Sequence, residues 1–196
     1  MQQKALPALS RLSLKQLSPL LETYLEVQHL KQLYRQGWLQ NGLKKEICES
    51  VAEHSFAAAI LALFLADNYF PQLDLKKVLI MVLLHDFGEI YAGDLTPVNN
   101  LQAEEKYHRE QQSIHQVLAK LPQGQKYIAL WEEFEKGESP EAQFIKQIDK
   151  LEMGLQAHLY ETLSQEHRTL FTQAADEAVK DAELKAIFEE MKKATL

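Results

Sequence analysis

The chain has 196 residues and a formal net charge of −7, and its 32 Leu and 20 Ala stand against only 22 Val, Ile and Thr together. That balance disfavours an all-β or large-sheet fold and favours helix. The length fits one domain with a substantial core. A single cysteine, Cys48, excludes an internal disulfide framework or a multi-cysteine zinc site.

The acidic balance argues against a nucleic-acid polymer as partner. No unbroken apolar run approaches the roughly 18 residues of a membrane span, and the N-terminus lacks the apolar segment of a secretory signal. The expectation is a soluble, cytoplasmic protein with no membrane partner.

In chain order, Leu17, Leu20, Leu21, Tyr24, Val27, Leu30 and Tyr34 recur at helical spacing over 13–35, with Pro19 marking a start. Gly37 and residues 41–49 read as a connection. Ser50-Val51-Ala52-Glu53 fits a capping box and opens a helix running to Pro71, with His54 in its first turn. Asp74 caps a third helix, apolar nearly all round from Val78 to Leu84 and therefore central. His85, Asp86 and Glu89 sit at its C-terminal end, before a Gly93–Pro97 loop. The helix is read through Ile90, so Glu89, i+4 from His85 and i+3 from Asp86, shares their face. A polar helix over about 101–120 follows, then a short one around Ile128–Phe134, with Trp131 and Phe134 as a hydrophobic anchor. Ser139-Pro140 opens the next helix. Its apolar Phe144, Ile145, Ile148, Leu151 and Leu155 place Asp149 on or beside the core stripe. The final 30 residues read as one or two amphipathic helices. The fold class is all-α, about six to eight helices.

Three places set titratable groups in apolar helical surroundings: His54, the His85-Asp86 pair and Asp149. An ionised carboxylate buried without a partner costs at least several kcal/mol. Two imidazoles and two carboxylates converging on a divalent cation remove that penalty. Such a donor set suits Mn, Fe, Co, Ni or Zn better than Ca, and leaves positions for water and substrate. Taken singly, each residue has an ordinary explanation, such as a surface His or an Asp paired with Lys146 or Lys150.

Jointly, with SVAEHSF at 50–56, LLHDFGEIYAGDLTP at 83–97 and FIKQIDKLEM at 144–153, they resemble the HD-domain metal-dependent phosphohydrolases, in their 5′-deoxynucleotidase branch. The resemblance runs from about residue 30 to 161. It implies a single HD-domain helical bundle over 1–196, with flanking N- and C-terminal helices. It implies His54, His85, Asp86 and Asp149 as ligands of one divalent metal ion (Mn, Co, Fe, Ni, Zn or Mg), and Glu89 and Asp94 as catalytic carboxylates. Arg35 falls where the family orients the substrate phosphate, Trp38 where it senses the sugar, and Thr96, Pro97 and Val98 where it contacts substrate. Asn99 stands where some members carry Lys.

The implied reaction is hydrolysis of a (deoxy)nucleoside 5′-monophosphate to nucleoside and phosphate, by a homodimer. The negative total does not oppose an anionic substrate, because a bound cation reverses the local field. Two other readings stay open: the same site acting on another phosphate ester or nucleotide, and a non-catalytic metal-binding regulatory protein. Retention of both Glu89 and Asp94 speaks for an enzyme.

Overall fold

Most of the longer helices begin where the sequence supplies a side chain for their free amides. The computed structural model describes residues 2–4, 17–160 and 164–193. Ser18 accepts the Leu21 N–H ahead of α1 (Pro19–Val27). Of the helix expected over 13–35, residues 13–16 lie outside the described residues, and after Val27 the chain tightens into a 3-10 turn over Gln28–Lys31. The expected connection holds a short helix, α2 (Gln36–Gln40), and a 3-10 turn over Lys45–Ile47.

The capping box at the start of α3 (Val51–Tyr69) forms in full: Glu53 N–H donates to Ser50 Oγ at 3.2 Å and Ser50 N–H to Glu53 Oε2 at 2.6 Å. Asp74 caps α4 (Leu75–Leu84).

The expected continuation of α4 through residue 90 does not occur. Side chains take carbonyls from its end: His85 Nδ1–H donates to Val82 O at 2.7 Å and the Trp131 indole to His85 O at 3.2 Å. The amides of Phe87 and Glu89 reach back only three residues, to Leu84 and Asp86. The chain then restarts as α5 (Glu89–Ala92). Glu89 therefore begins a helix, where the dipole favours an acid, rather than ending one.

Next come α6 (Ala103–Leu118), α7 (Gly124–Lys136, longer than expected), α8 (Pro140–Leu159, capped by Ser139), α9 (Gln165–Ala178) and α10 (Ala182–Lys193). Among the described residues there is no strand, only isolated bridges pairing Gln3 with Leu33 and Tyr34 with Ser50.

α8 is the axis of the bundle. Phe70 at the end of α3 meets Phe144 near the start of α8, ring centroids 5.0 Å apart, and Lys77 of α4 pairs with Glu141 of α8 at 3.1 Å. α3 thus runs antiparallel to α4 and α8. Ala58, Ala62, Leu65 and Ala66 of α3, Val78, Met81 and Val82 of α4, and Ile145, Ile148 and Leu151 of α8 fill one apolar cluster. Burying a side chain such as Ile or Leu contributes about 1.5–3 kcal/mol. Gly154 lets α9 and α10 close on α8, since a Cβ there would stand 2.7 Å from both Ala175 Cβ and Phe188 Cζ.

By length and composition α3, with mean hydropathy 1.2, could cross a membrane. A search for unbroken apolar runs misses this because Glu53, His54, Ser55 and Asp67 interrupt it. Its alanine stripe packs on α4 and α8 instead. The end of these three helices opposite Phe70 and Phe144 carries the titratable groups.

Candidate active site

The first turn of α3, the turn after α4 and the middle of α8 bring four expected residues together. His54 Nε2 lies 3.1 Å from Asp149 Oδ1 and 3.8 Å from Asp86 Oδ2, and His85 Nε2 lies 3.3 Å from Asp86 Oδ2. The two imidazoles stand 5.5 Å apart, centroid to centroid. Ligands held at about 2.1 Å from one ion and at right angles lie about 3.0 Å apart, so these separations suit one cation with little adjustment. His85 Nε2 and Asp86 Oδ2 are buried with no hydrogen-bond partner among the described residues. Orphaned atoms of this kind need an explanation, and a shared cation supplies one. The residues present therefore fit a metal ion.

Arg35 is the cation already built into the site. Its guanidinium lies 3.8 Å from Asp94, 3.9 Å from Asp86 and 4.0 Å from Asp149. Burial opposes its charge, but Asp94, Asp86, Glu89 and Asp149 outweigh that and hold it firmly protonated. Burial likewise opposes ionisation of Asp149, yet Lys150 and His54 keep it well below the usual carboxylate range. Asp86 is lowered too, by His85, Arg35 and His54 against burial. For His54, burial and Arg35 oppose protonation, but hydrogen bonds to Asp149 and Glu152 push it up to about 10. In the metal-free protein a proton on His54 thus occupies the place of a cation.

Glu89 and Asp94 join the same cluster. Burial, reinforced by Asp86 and Asp94, pushes Glu89 well above its ordinary range. Its Oε2 has no partner among the described residues. Asp94 Oδ2 accepts the Gln36 N–H, which fixes the carboxylate against α2.

The expected substrate residues divide. Thr96 donates its hydroxyl to Gln40 Oε1 at 2.8 Å, and Pro97 and Val98 are exposed beside it. Trp38 is different. It is 2 % exposed, packed against Tyr160 and Phe171, with its indole N–H donated to Glu49 at 2.7 Å. In this arrangement it offers a sugar no face, because its ring is enclosed within an aromatic cluster.

A cleft of about 450 Å³ over His85, Asp86, Glu89 and Asp149 is also lined by Lys146 and by two residues not singled out in the sequence, Lys106 and Glu110. Behind His54 lie Glu152 and Glu49. Glu152 was detectable: it follows Ile145 and Ile148 at helical spacing on the buried stripe of α8, the argument already applied to Asp149. Lys106 and Glu110 lie in a polar run that reads as a solvated face, and nothing local distinguishes them.

Fold and site together define an all-helical protein whose clustered His54, His85, Asp86 and Asp149 could hold a metal ion. The HD-domain family model matches residues 27–192, and the chain belongs to the HD-domain family. The chain is similar to the 5′-deoxynucleotidase HDDC2 of Mus musculus, 37 % identical over 139 residues that cover 70 % of this chain and 67 % of that protein. The 5′-deoxynucleotidase hdd1 of Schizosaccharomyces pombe is 37 % identical over 138 residues, covering 67 % of each chain. Among solved structures, the PH0347 protein of Pyrococcus horikoshii superposes with a TM-score of 0.74 at 30 % identity, covering 87 % of this chain and 97 % of that one.

Proposed function

We propose that this HD-domain protein is a metal-dependent phosphohydrolase that cleaves (deoxy)nucleoside 5′-monophosphates to nucleoside and inorganic phosphate. The observation that carries the reading is the convergence of His54, His85, Asp86 and Asp149, with orphaned His85 Nε2 and Asp86 Oδ2, beside Arg35. The relatives named as 5′-deoxynucleotidases support the substrate class.

His54, His85, Asp86 and Asp149 would hold the ion, which supplies charge neutralisation at the phosphoryl group and acidifies a water. Arg35 sits beyond hydrogen-bond reach of its carboxylate neighbours, so its N–H fork remains free to grip phosphate oxygens. Asp94, anchored through one oxygen by Gln36, would orient the attacking water and take its proton. Glu89, whose carboxyl burial raises above its ordinary range, would give a proton to the departing ester oxygen or steady the ligand set. Thr96, Pro97 and Val98, which follow Asp94 in the chain, would contact the nucleoside.

One observation favours a second substrate class. The cleft gathers Lys106, Lys146 and Lys150, ammonium groups that a nucleoside triphosphate would use. Lys150 is committed to Asp149 at 2.9 Å and Lys106 lies 3.5 Å from Glu110, which favours the monophosphate. A homodimer belongs to the same proposal. Phe56, Ile60 and Phe64 stand exposed on successive turns of α3 as an unbroken apolar stripe. Phe64→Glu should then shift the protein to monomer in sedimentation velocity.

The deciding measurement is phosphate release from 5′- and 3′-(deoxy)nucleoside monophosphates and deoxynucleoside triphosphates. Chelator-treated protein is reloaded with Mn, Co, Mg or Zn. Metal-dependent release from 5′-monophosphates alone is expected. Equal turnover of 3′-monophosphates or triphosphates, or release without metal, overturns the reading.

A further inference from the structure

The two histidines of the centre are held by different devices. An imidazole that binds a cation must present a lone pair, and the hydrogen bond at its other nitrogen decides which one does so. His85 gives its Nδ1 proton to the backbone carbonyl of Val82 at 2.7 Å, inside its own helical turn. His54 has a carboxylate in that place: its Nδ1 lies 2.6 Å from Glu152 Oε2, a contact between α3 and α8. His54 is 0 % exposed and Glu152 5 %, so water does not compete for either group.

Glu152 is itself backed by a second buried layer. A carboxylate oxygen of Glu49 lies within 4.8 Å of both Glu152 and the His54 ring. Glu49 in turn accepts the Trp38 indole N–H at 2.7 Å, and its backbone N–H donates to the Tyr160 hydroxyl at 3.1 Å. Trp38 is locked by Tyr160 and Phe171, ring centroids 5.3 and 4.1 Å away. A polar chain thus runs from α2, through the residue before the α3 cap, to α8 and the metal-facing histidine.

We infer that Glu152 is a positioning residue: it holds the proton of His54 on Nδ1 and so leaves the Nε2 lone pair for the cation that Asp86 and Asp149 would share, with Glu49 and Trp38 closing the space behind it. The geometry leaves Glu152 no other described hydrogen-bond partner to serve. Trp38 then acts through the ligand shell and not on the sugar. The inference rests on the reading of His54 as a metal ligand, and its test separates the two.

Chelator-treated wild-type and variant proteins are titrated with zinc by calorimetry, each first shown folded by circular dichroism. Glu152→Ala should bind about 10- to 100-fold more weakly. Glu152→Gln keeps an acceptor oxygen of nearly the same shape and should recover most of the affinity. Because emptying a buried position can unfold α8, the wild-type protein is also examined directly. Long-range nitrogen–proton spectra of the zinc-loaded form should show His54 protonated at Nδ1 and bound through Nε2. Glu152→Ala affinity within twofold of wild type, or zinc bound through His54 Nδ1, overturns the inference. A wild-type protein that takes up no zinc overturns the ligand reading beneath it.

Discussion

The two ends of the α3–α4–α8 core are made by the same three helices with opposite chemistry. At one end Ala58, Ala62, Val78, Met81, Ile145 and Ile148 are buried within one apolar cluster. Toward the other end, His54, His85, Asp86, Glu89, Asp94 and Asp149 cluster with Arg35. Buried charges rarely repay their desolvation, so the polar end is expected to subtract from stability, while the apolar end supplies it. The difference teaches that the helices are scaffolds with a division of labour along their length, and substitutions at the two ends should separate function from stability.

The strongest test lies at the polar end. Asp149→Ala removes the carboxylate nearest His54 and should lower phosphate release about 10³-fold or more, with bound metal falling in parallel by elemental analysis. Full activity without bound metal would break the assignment. Ile145→Ala, one turn earlier on α8 and 0 % exposed, should do the reverse. It should cost about 3 kcal/mol in denaturant unfolding and leave metal affinity of the folded protein unchanged. A matching loss of metal affinity would mean the ends are mechanically coupled.

Arg35→Lys probes the polar end more gently. The positive charge stays while the planar fork goes, so turnover of 5′-monophosphates should fall about 10- to 100-fold with metal content retained. An unchanged rate rejects a phosphate-gripping role.

These contrasts were unevenly legible in the sequence. Helix starts at Pro19, Ser50, Asp74 and Ser139 could be read because capping and first-turn preferences are local chemistry. The four ligand candidates stood out because charged groups on apolar stripes are conspicuous. The break after α4 was hidden: it depends on the Trp131 indole reaching the His85 carbonyl across 46 residues, which no local pattern records. The surroundings of Trp38 were hidden for the same reason: the family resemblance suggested a sugar contact, and its packing is set by Tyr160, just after α8, and Phe171 of α9. Local rules find elements and suspicious residues; long-range packing decides which face of each is used.

The smallest effect defines where the polar end stops. Glu110 of α6 comes against the turn after α4 because Gly88 has no side chain; a Cβ there would lie 2.7 Å from Glu110 Cβ. Burial, opposed by Lys106 and aided by Glu135 and Asp86, raises the Glu110 carboxyl from 4.5 to about 7. The folded protein therefore holds that proton where the unfolded chain has lost it. The resulting stability is fully present below pH 4.5 and disappears as pH rises through 7. In metal-free protein, Glu110→Gln should remove this dependence and gain about 1–2 kcal/mol over wild type on going from pH 5 to pH 8, less than the full shift because the Lys106 contact is also given up. Denaturant midpoints at the two pH values measure it. A difference that does not change with pH would show that the carboxyl titrates normally and that the electrostatic field of the centre ends before α6.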